Sequence, residues 1–242
     1  MAPFVNDGGY LQSNPAAHRI AISLWADFFI LPVDQFSSAT FTVLDTIRKK
    51  YAQLRWYEVY NLIEFFMNSG LFSVPLKEKF KSSCNRILER EMSAYRIVGL
   101  EIARLTSDEE ITTIEEALSQ TGLLQPVQIH IETALRMISD RANPDYRNSI
   151  KESISAVESM CCIVTGASKA TLTSALSKLE GQGVELHGAL KEAFTKLYAY
   201  TSDADGIRHK LLEDPKLDFE DAKFMLVTCS AFVNYIKAKV KD

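Results

Sequence analysis

Turn formers are scarce in this chain, with ten glycines and seven prolines among 242 residues, about 7% of the sequence against roughly 12% in average usage. So few breaks favour long helices over many short strands. Histidine is rarer still, at four residues, and so is cysteine, at Cys84, Cys161, Cys162 and Cys229. No two cysteines have the CxxC spacing of a zinc or redox site, so the expectation is no metal and no cofactor. The vicinal Cys161-Cys162 pair lies in an apolar helical run and reads as structural thiols of a reducing compartment. No apolar run approaches 18 residues, and the opening Met-Ala-Pro-Phe-Val-Asn-Asp lacks the basic and apolar regions of a signal peptide. These absences predict a cytoplasmic protein with no membrane partner. The formal charge of −4 gives no global attraction for nucleic acid, which could be held only by a local basic patch. Walker-type loops, GxGxxG, GxSxG and HExxH are all missing, so nucleotide-dependent and common hydrolase chemistries have no anchor.

What is present is helical periodicity, with 47% apolar residues available for a core. After an irregular first dozen residues, Asn14-Pro15 is a cap followed by an early proline, and a helix runs from there to about Leu31, where Pro32 ends it. A second helix begins after Ser37-Ser38. In a third, Trp56, Tyr60, Ile63 and Met67 recur on one face and read as a core stripe. A fourth covers Leu76 to Glu91. Residues 94 to 105 alternate on either side of Gly99, which predicts one small β-hairpin. Ser107 then caps a helix with an acidic first turn, and Leu124 to Arg141 forms another.

Asn143-Pro144-Asp145 is the clearest internal break, and a long helix is expected from Pro144 to Thr165, stopped by Gly166. Ile150, Ile154, Val157, Cys161 and Val164 hold its apolar face, while Arg147, Lys151 and Glu158 share another. Helices over 172–179, 186–200 and 219–241 follow. Between the last two stands the dipeptide Arg208-His209, preceded by Asp203-Ala-Asp205-Gly206. Arginine keeps its charge and can fork onto phosphate, and histidine titrates near neutrality and can move a proton. The pair reads either as half of an RNA-cleaving site or as a helix-start cation beside a surface imidazole. His130, in Val-Gln-Ile-His-Ile, is expected to be half-buried, and His187 to begin a helix.

The segments Ile22-Ser-Leu-Trp25, Arg55-Trp-Tyr-Glu-Val-Tyr60, Asn85-Arg-Ile-Leu-Glu-Arg-Glu91 and Tyr95-Arg96 with the hairpin resemble an N-terminal domain of AbiJ-type abortive infection proteins, over residues 1 to about 120. Asn143-Pro-Asp-Tyr-Arg through Ser159, Gly206-Ile-Arg-His209 and the last helix resemble the helical C-terminal region of the same proteins, which is of the HEPN class. The resemblance implies a mostly α protein: a helical N-terminal domain, 1–120, with its hairpin near 94–105, and a HEPN-like bundle, 121–242. It also implies a bacterial antiphage protein, a homodimer, and a metal-independent ribonuclease, with RNA and a phage component as the candidate partners. In the HEPN motif an arginine, usually followed by a polar residue, precedes the essential histidine by four to six positions. Arg208 matches the arginine and His209 the polar follower, but residues 213 to 215 are Glu213, Asp214 and Pro215, and no histidine follows. Two alternatives stay open: catalysis by Arg208 and His209, supported by Glu158, Arg147, Lys151 and Asp205, or a non-catalytic dimerisation or sensing module.

Overall fold

The computed structural model describes residues 14–119, 121–166, 172–181, 183–202 and 217–240. Among these, ten α-helices and one two-stranded antiparallel sheet make the fold mostly α. The chain divides into two compact units, residues 1–84 and 85–242.

In the first unit, α1 (Pro15–Ser23) opens on Asn14, whose side-chain oxygen accepts from the Ala17 amide at 3.1 Å, with Pro15 in the first turn. The expected continuous helix to Leu31 does not persist. Leu24–Phe28 widens into a π-helical turn, and Ile30 then takes a φ of 50°. Trp25 accounts for this path: its indole N–H donates to the Pro32 carbonyl at 2.9 Å, and its ring meets Phe36 edge-on at 5.4 Å. Ala21, Trp25 and Val43 form a small buried core with α2 (Thr40–Ala52). In α3 (Trp56–Asn68) the expected core stripe holds only at its far end. Met67 is 1% exposed, but Trp56 is 61% exposed, its ring meeting Tyr57 and Tyr60 edge-on. α4 runs Val74–Arg90. Phe66, Phe72 and Phe80 cluster across α3 and the start of α4, with the first two rings stacked at 5.2 Å.

The second unit contains the main core. Strands β1 (Arg96–Val98) and β2 (Glu101–Ala103) pair in register Ile97↔Ile102, and Gly99 turns between them at a φ of 55°. The exposed edge of β1 is satisfied from α4: Asn85 accepts from the Ile97 amide at 2.7 Å and donates to its carbonyl at 3.0 Å. α5 (Asp108–Leu118) starts on Ser107, which accepts from the Glu110 amide. α6 (Gln125–Ser139) and α7 (Tyr146–Thr165) form an antiparallel pair through Val127, Ile131 and Leu135 on one side and Ile150, Ile154 and Val157 on the other. Each such side chain contributes roughly 1.5–3 kcal/mol by leaving water. Small residues let the backbones approach, and Ser149 donates across the pair to the Ala134 carbonyl at 2.8 Å.

α7 begins two residues later than expected, at Tyr146. Pro144 stays outside the helix because Asp145 is the cap, accepting from the Asn148 amide at 3.0 Å. Gly166 ends it at a φ of 65°, as expected. α8 (Leu172–Gly181) and α9 (Gly188–Ser202) follow, and α10 (Phe219–Val240) packs along α7 and α5. Asn234 fastens α10 to α5 by donating to the Thr113 carbonyl at 2.9 Å.

Candidate functional site

Arg208, His209 and Asp205, the residues on which the sequence reading turns, lie outside the described residues. Of their proposed supports, Arg147, Lys151 and Glu158 are all on α7 and all half-buried. At about 100° per residue they fall within roughly 40° of one another, a single stripe beside the buried Ile154 and Cys161. α7 therefore brings these three side chains together along one edge of its polar face. The stripe begins in the first turn of α7, where Tyr146 meets Phe219 of α10 edge-on at 6.5 Å.

At the opposite edge of the same polar face is a pair that sequence spacing did not single out. His130 on α6 and Glu152 on α7 share a hydrogen bond, Nδ1 to Oε2, at 2.7 Å, each about one-third exposed. His130 is half-buried as expected, and a carboxylate on Nδ1 fixes which ring nitrogen faces outward. His187 also lies where expected, accepting from the Ala189 amide at the start of α9.

The described residues form a cavity of about 160 Å³ where the hairpin, the α6–α7 turn and the first turns of α7 and α10 converge. Tyr95, Tyr146 and Phe219 give it aromatic walls, and Arg104, Asp140 and Arg141 bring charge to it. The exposed Arg104 guanidinium lies 5.4 Å from the centre of the Phe219 ring and forms no salt bridge among the described residues. Asp140 instead turns inward on its own loop, accepting from the Ala142 and Asn143 amides at 2.8 and 2.9 Å, and these bonds hold its carboxyl below the usual carboxylate range. Lys223, near Arg104, is held by Glu220 at 2.8 Å and Glu110 at 3.8 Å; the Glu220 hydrogen bond pushes its ammonium pKa up. The Ser139 hydroxyl in the wall is buried without a hydrogen-bond partner.

All four cysteines are free thiols. Burial pushes Cys161 and Cys229 up to about 12, and raises Cys84 less far, so none of these three acts as a thiolate nucleophile near neutrality. Among the described residues no three His, Cys, Asp or Glu side chains gather as a metal-ligand set, and no helix is long and apolar enough to cross a membrane.

Residues 10–120 match the family model of AbiJ N-terminal domain 4. No curated protein and no solved structure matches the chain. The matched span takes in α1 through α5 and the hairpin, the same elements whose sequences resemble that domain. Over residues 10–120, just under half of its length, the chain is similar to AbiJ N-terminal domain 4, and this match supports an AbiJ-type protein of abortive infection.

Proposed function

We propose that the protein is a cytoplasmic antiphage effector whose helices from residue 121 onward form a HEPN-like bundle, act as a homodimer and cleave RNA without a metal. The observation that carries this reading is the AbiJ domain over residues 10–120, followed in the same chain by Arg208-His209. In the reaction, His209 removes the proton from a ribose 2′-hydroxyl, and the freed oxygen attacks the adjacent phosphorus. The bond to the 5′-oxygen of the next nucleotide breaks, leaving a 2′,3′-cyclic phosphate, and the departing oxygen takes a proton from the second protomer's protonated His209. Arg208 binds the non-bridging oxygens on which charge develops. Arg147 and Lys151 add positive charge along α7, while Glu158 and Asp205 orient the cations. Over most of so acidic a chain RNA would be repelled, which makes such a local set of cations necessary.

A second reading is favoured by a specific feature: no histidine follows His209, and Asp203 and Asp205 stand directly before the pair. On that reading the bundle dimerises or senses a phage component without cutting. A fluorogenic RNA assay on the wild type, Arg208→Ala and His209→Ala decides between them. Cleavage by the wild type that falls at least about a hundredfold in both variants supports the nuclease. No cleavage, or equal cleavage by all three, supports the non-catalytic module.

A further inference from the structure

The corner where α2 turns into α3 carries a chemistry that the reading of α7 and of Arg208-His209 does not use. Between residues 45 and 60 stand four cations, Arg48, Lys49, Lys50 and Arg55, and four aromatic rings, Tyr51, Trp56, Tyr57 and Tyr60. Only residues 53–55 join the two helices, and the Leu54 amide donates to the Tyr51 carbonyl at 3.1 Å. Tyr51 at the end of α2 and Trp56 at the start of α3 therefore flank one tight turn. Both rings stand in water, Tyr51 50% and Trp56 61% exposed, although aromatic side chains are among those that gain most by leaving it. Trp56 is braced there by Tyr57 and Tyr60, whose rings meet it edge-on at 5.8 and 5.7 Å. Both carboxylates of the corner are already engaged: Asp45 pairs with Lys49 at 2.7 Å, and Glu58 accepts from the Arg55 amide at 2.6 Å. The exposed Arg48 and half-buried Lys50 form no salt bridge among the described residues. Arg55 donates to the Tyr57 hydroxyl at 3.0 Å, which holds its guanidinium beside the rings with its charge intact. Residues 1–84 carry eight Lys and Arg against seven Asp and Glu, so the chain's net negative charge lies beyond residue 84.

Cations that hold phosphates, set among rings that offer a face to any base, match the needs of a single strand of nucleic acid, whereas a duplex hides its base faces in its own stack. We propose that this corner binds single-stranded RNA, one base stacking on Trp56 and a neighbouring base on Tyr51, with the adjoining phosphates on Arg55, Arg48 and Lys50. The choice of RNA rests on the ribonuclease reading. The corner is then a capture surface for the substrate, distant in sequence from Arg208 and His209 and using neither of them.

Fluorescence anisotropy of the full chain with a short labelled strand of 2′-O-methyl RNA tests it, because that strand has no free 2′-hydroxyl and stays whole whether or not the protein is a nuclease. The expected result is saturable binding, at least about tenfold weaker for the duplex of the same sequence. Trp56→Ala and Tyr51→Ala, both at exposed positions, each weaken it by about fivefold or more, the size of one lost base–ring stack, and Trp56→Phe restores most of the loss. The two ring variants are read independently, so misfolding of one leaves the other. Arg48→Gln combined with Lys50→Gln lowers the slope of log affinity against log salt by about 1.4, the share of two phosphates on a single strand. Trp56-dependent binding by a chain that leaves unmodified RNA uncut upholds this site and removes the nuclease; cleavage together with binding that neither ring affects does the reverse. No saturable binding, a duplex bound as tightly as the single strand, affinity unchanged in both ring variants, or a DNA strand of the same sequence bound more tightly than the RNA overturns the proposal.

Discussion

Replacing Asn85 by alanine removes the two hydrogen bonds that tie the edge of β1 to α4. The Ile97 amide donates to Asn85 at 2.7 Å and the Ile97 carbonyl accepts from it at 3.0 Å. Each bond exchanges for water in the unfolded chain and contributes a net of about 1 kcal/mol, so the pair is worth about 2 kcal/mol. In a chain of this size each kcal/mol moves the melting temperature by about 2–4 °C, which gives an expected fall of about 4–8 °C. Asn85→Asp keeps the acceptor and loses the donor, and should lose roughly half as much. Circular dichroism melts report the global effect, and amide exchange at Ile97 reports the local one. Ile97 and Ile102 are fully buried on one face and Val98 and Ala103 join the main core on the other, so the hairpin itself persists and exchange should accelerate chiefly at the Ile97 amide. An unchanged melting temperature together with an Ile97 amide as protected as in the wild type would refute the assignment of Asn85 as the hairpin's anchor.

Gly99→Ala and Gly166→Ala place a Cβ at positive φ, 55° and 65°, and each should cost about 1–2 kcal/mol in urea unfolding. Gly99→Ala should cost the more, because its Cβ would stand 2.9 Å from Leu118 Cδ1 while that of Gly166 meets open space. With their thiols pushed up to about 12, Cys161 and Cys229 should resist alkylation at pH 8 in the folded protein, and half-buried Cys162 should be modified before either, as read by mass mapping. Both thiols therefore titrate above the ordinary cysteine value of 9.0 in the folded protein. The stability they confer is therefore complete below about pH 9 and lost as pH rises toward 12, so Cys229→Ala should flatten the alkaline fall in stability. Asp140 has the opposite sign. Its carboxyl is held down by the Asn143 and Ala142 amides, so its contribution is present above its unfolded value and disappears on acidification. The stability gap between wild type and Asp140→Ala should close below about pH 4.

Local signals in the sequence located most element ends. Asn14-Pro15, Ser107 and Gly166 mark helix boundaries because capping and left-handed φ are properties of one or two residues, and the alternation about Gly99 marks the hairpin for the same reason. Pro144 misled because a proline suits a first helical turn, while the choice of cap was made by the Asp145 carboxylate reaching Asn148. The π-turn after α1 was invisible to a 3.6-residue period because its cause is tertiary, the Trp25 indole seeking the Pro32 carbonyl. Trp56 repeats in phase with Met67, yet periodicity says which residues share a face and not which part of that face is covered. The stripe of Arg147, Lys151 and Glu158 was legible because all three lie on one helix. The cavity was not, since Arg104, Arg141 and Phe219 come from distant stretches of chain. His130 and Glu152 lay between these cases. Both are nearly equidistant from the α6–α7 turn, as are Ala134 and Ser149, so folding the two helices back on each other in sequence would have paired them.

The central claim, that Arg208 and His209 cut RNA, is tested most directly by the products. Purified wild-type protein should convert a single-stranded RNA into fragments ending in 2′,3′-cyclic phosphate in the presence of a metal chelator, and His209→Ala, folded and melting like the wild type, should leave the RNA intact. Intact RNA with the wild type, or the same fragments from His209→Ala, would contradict it.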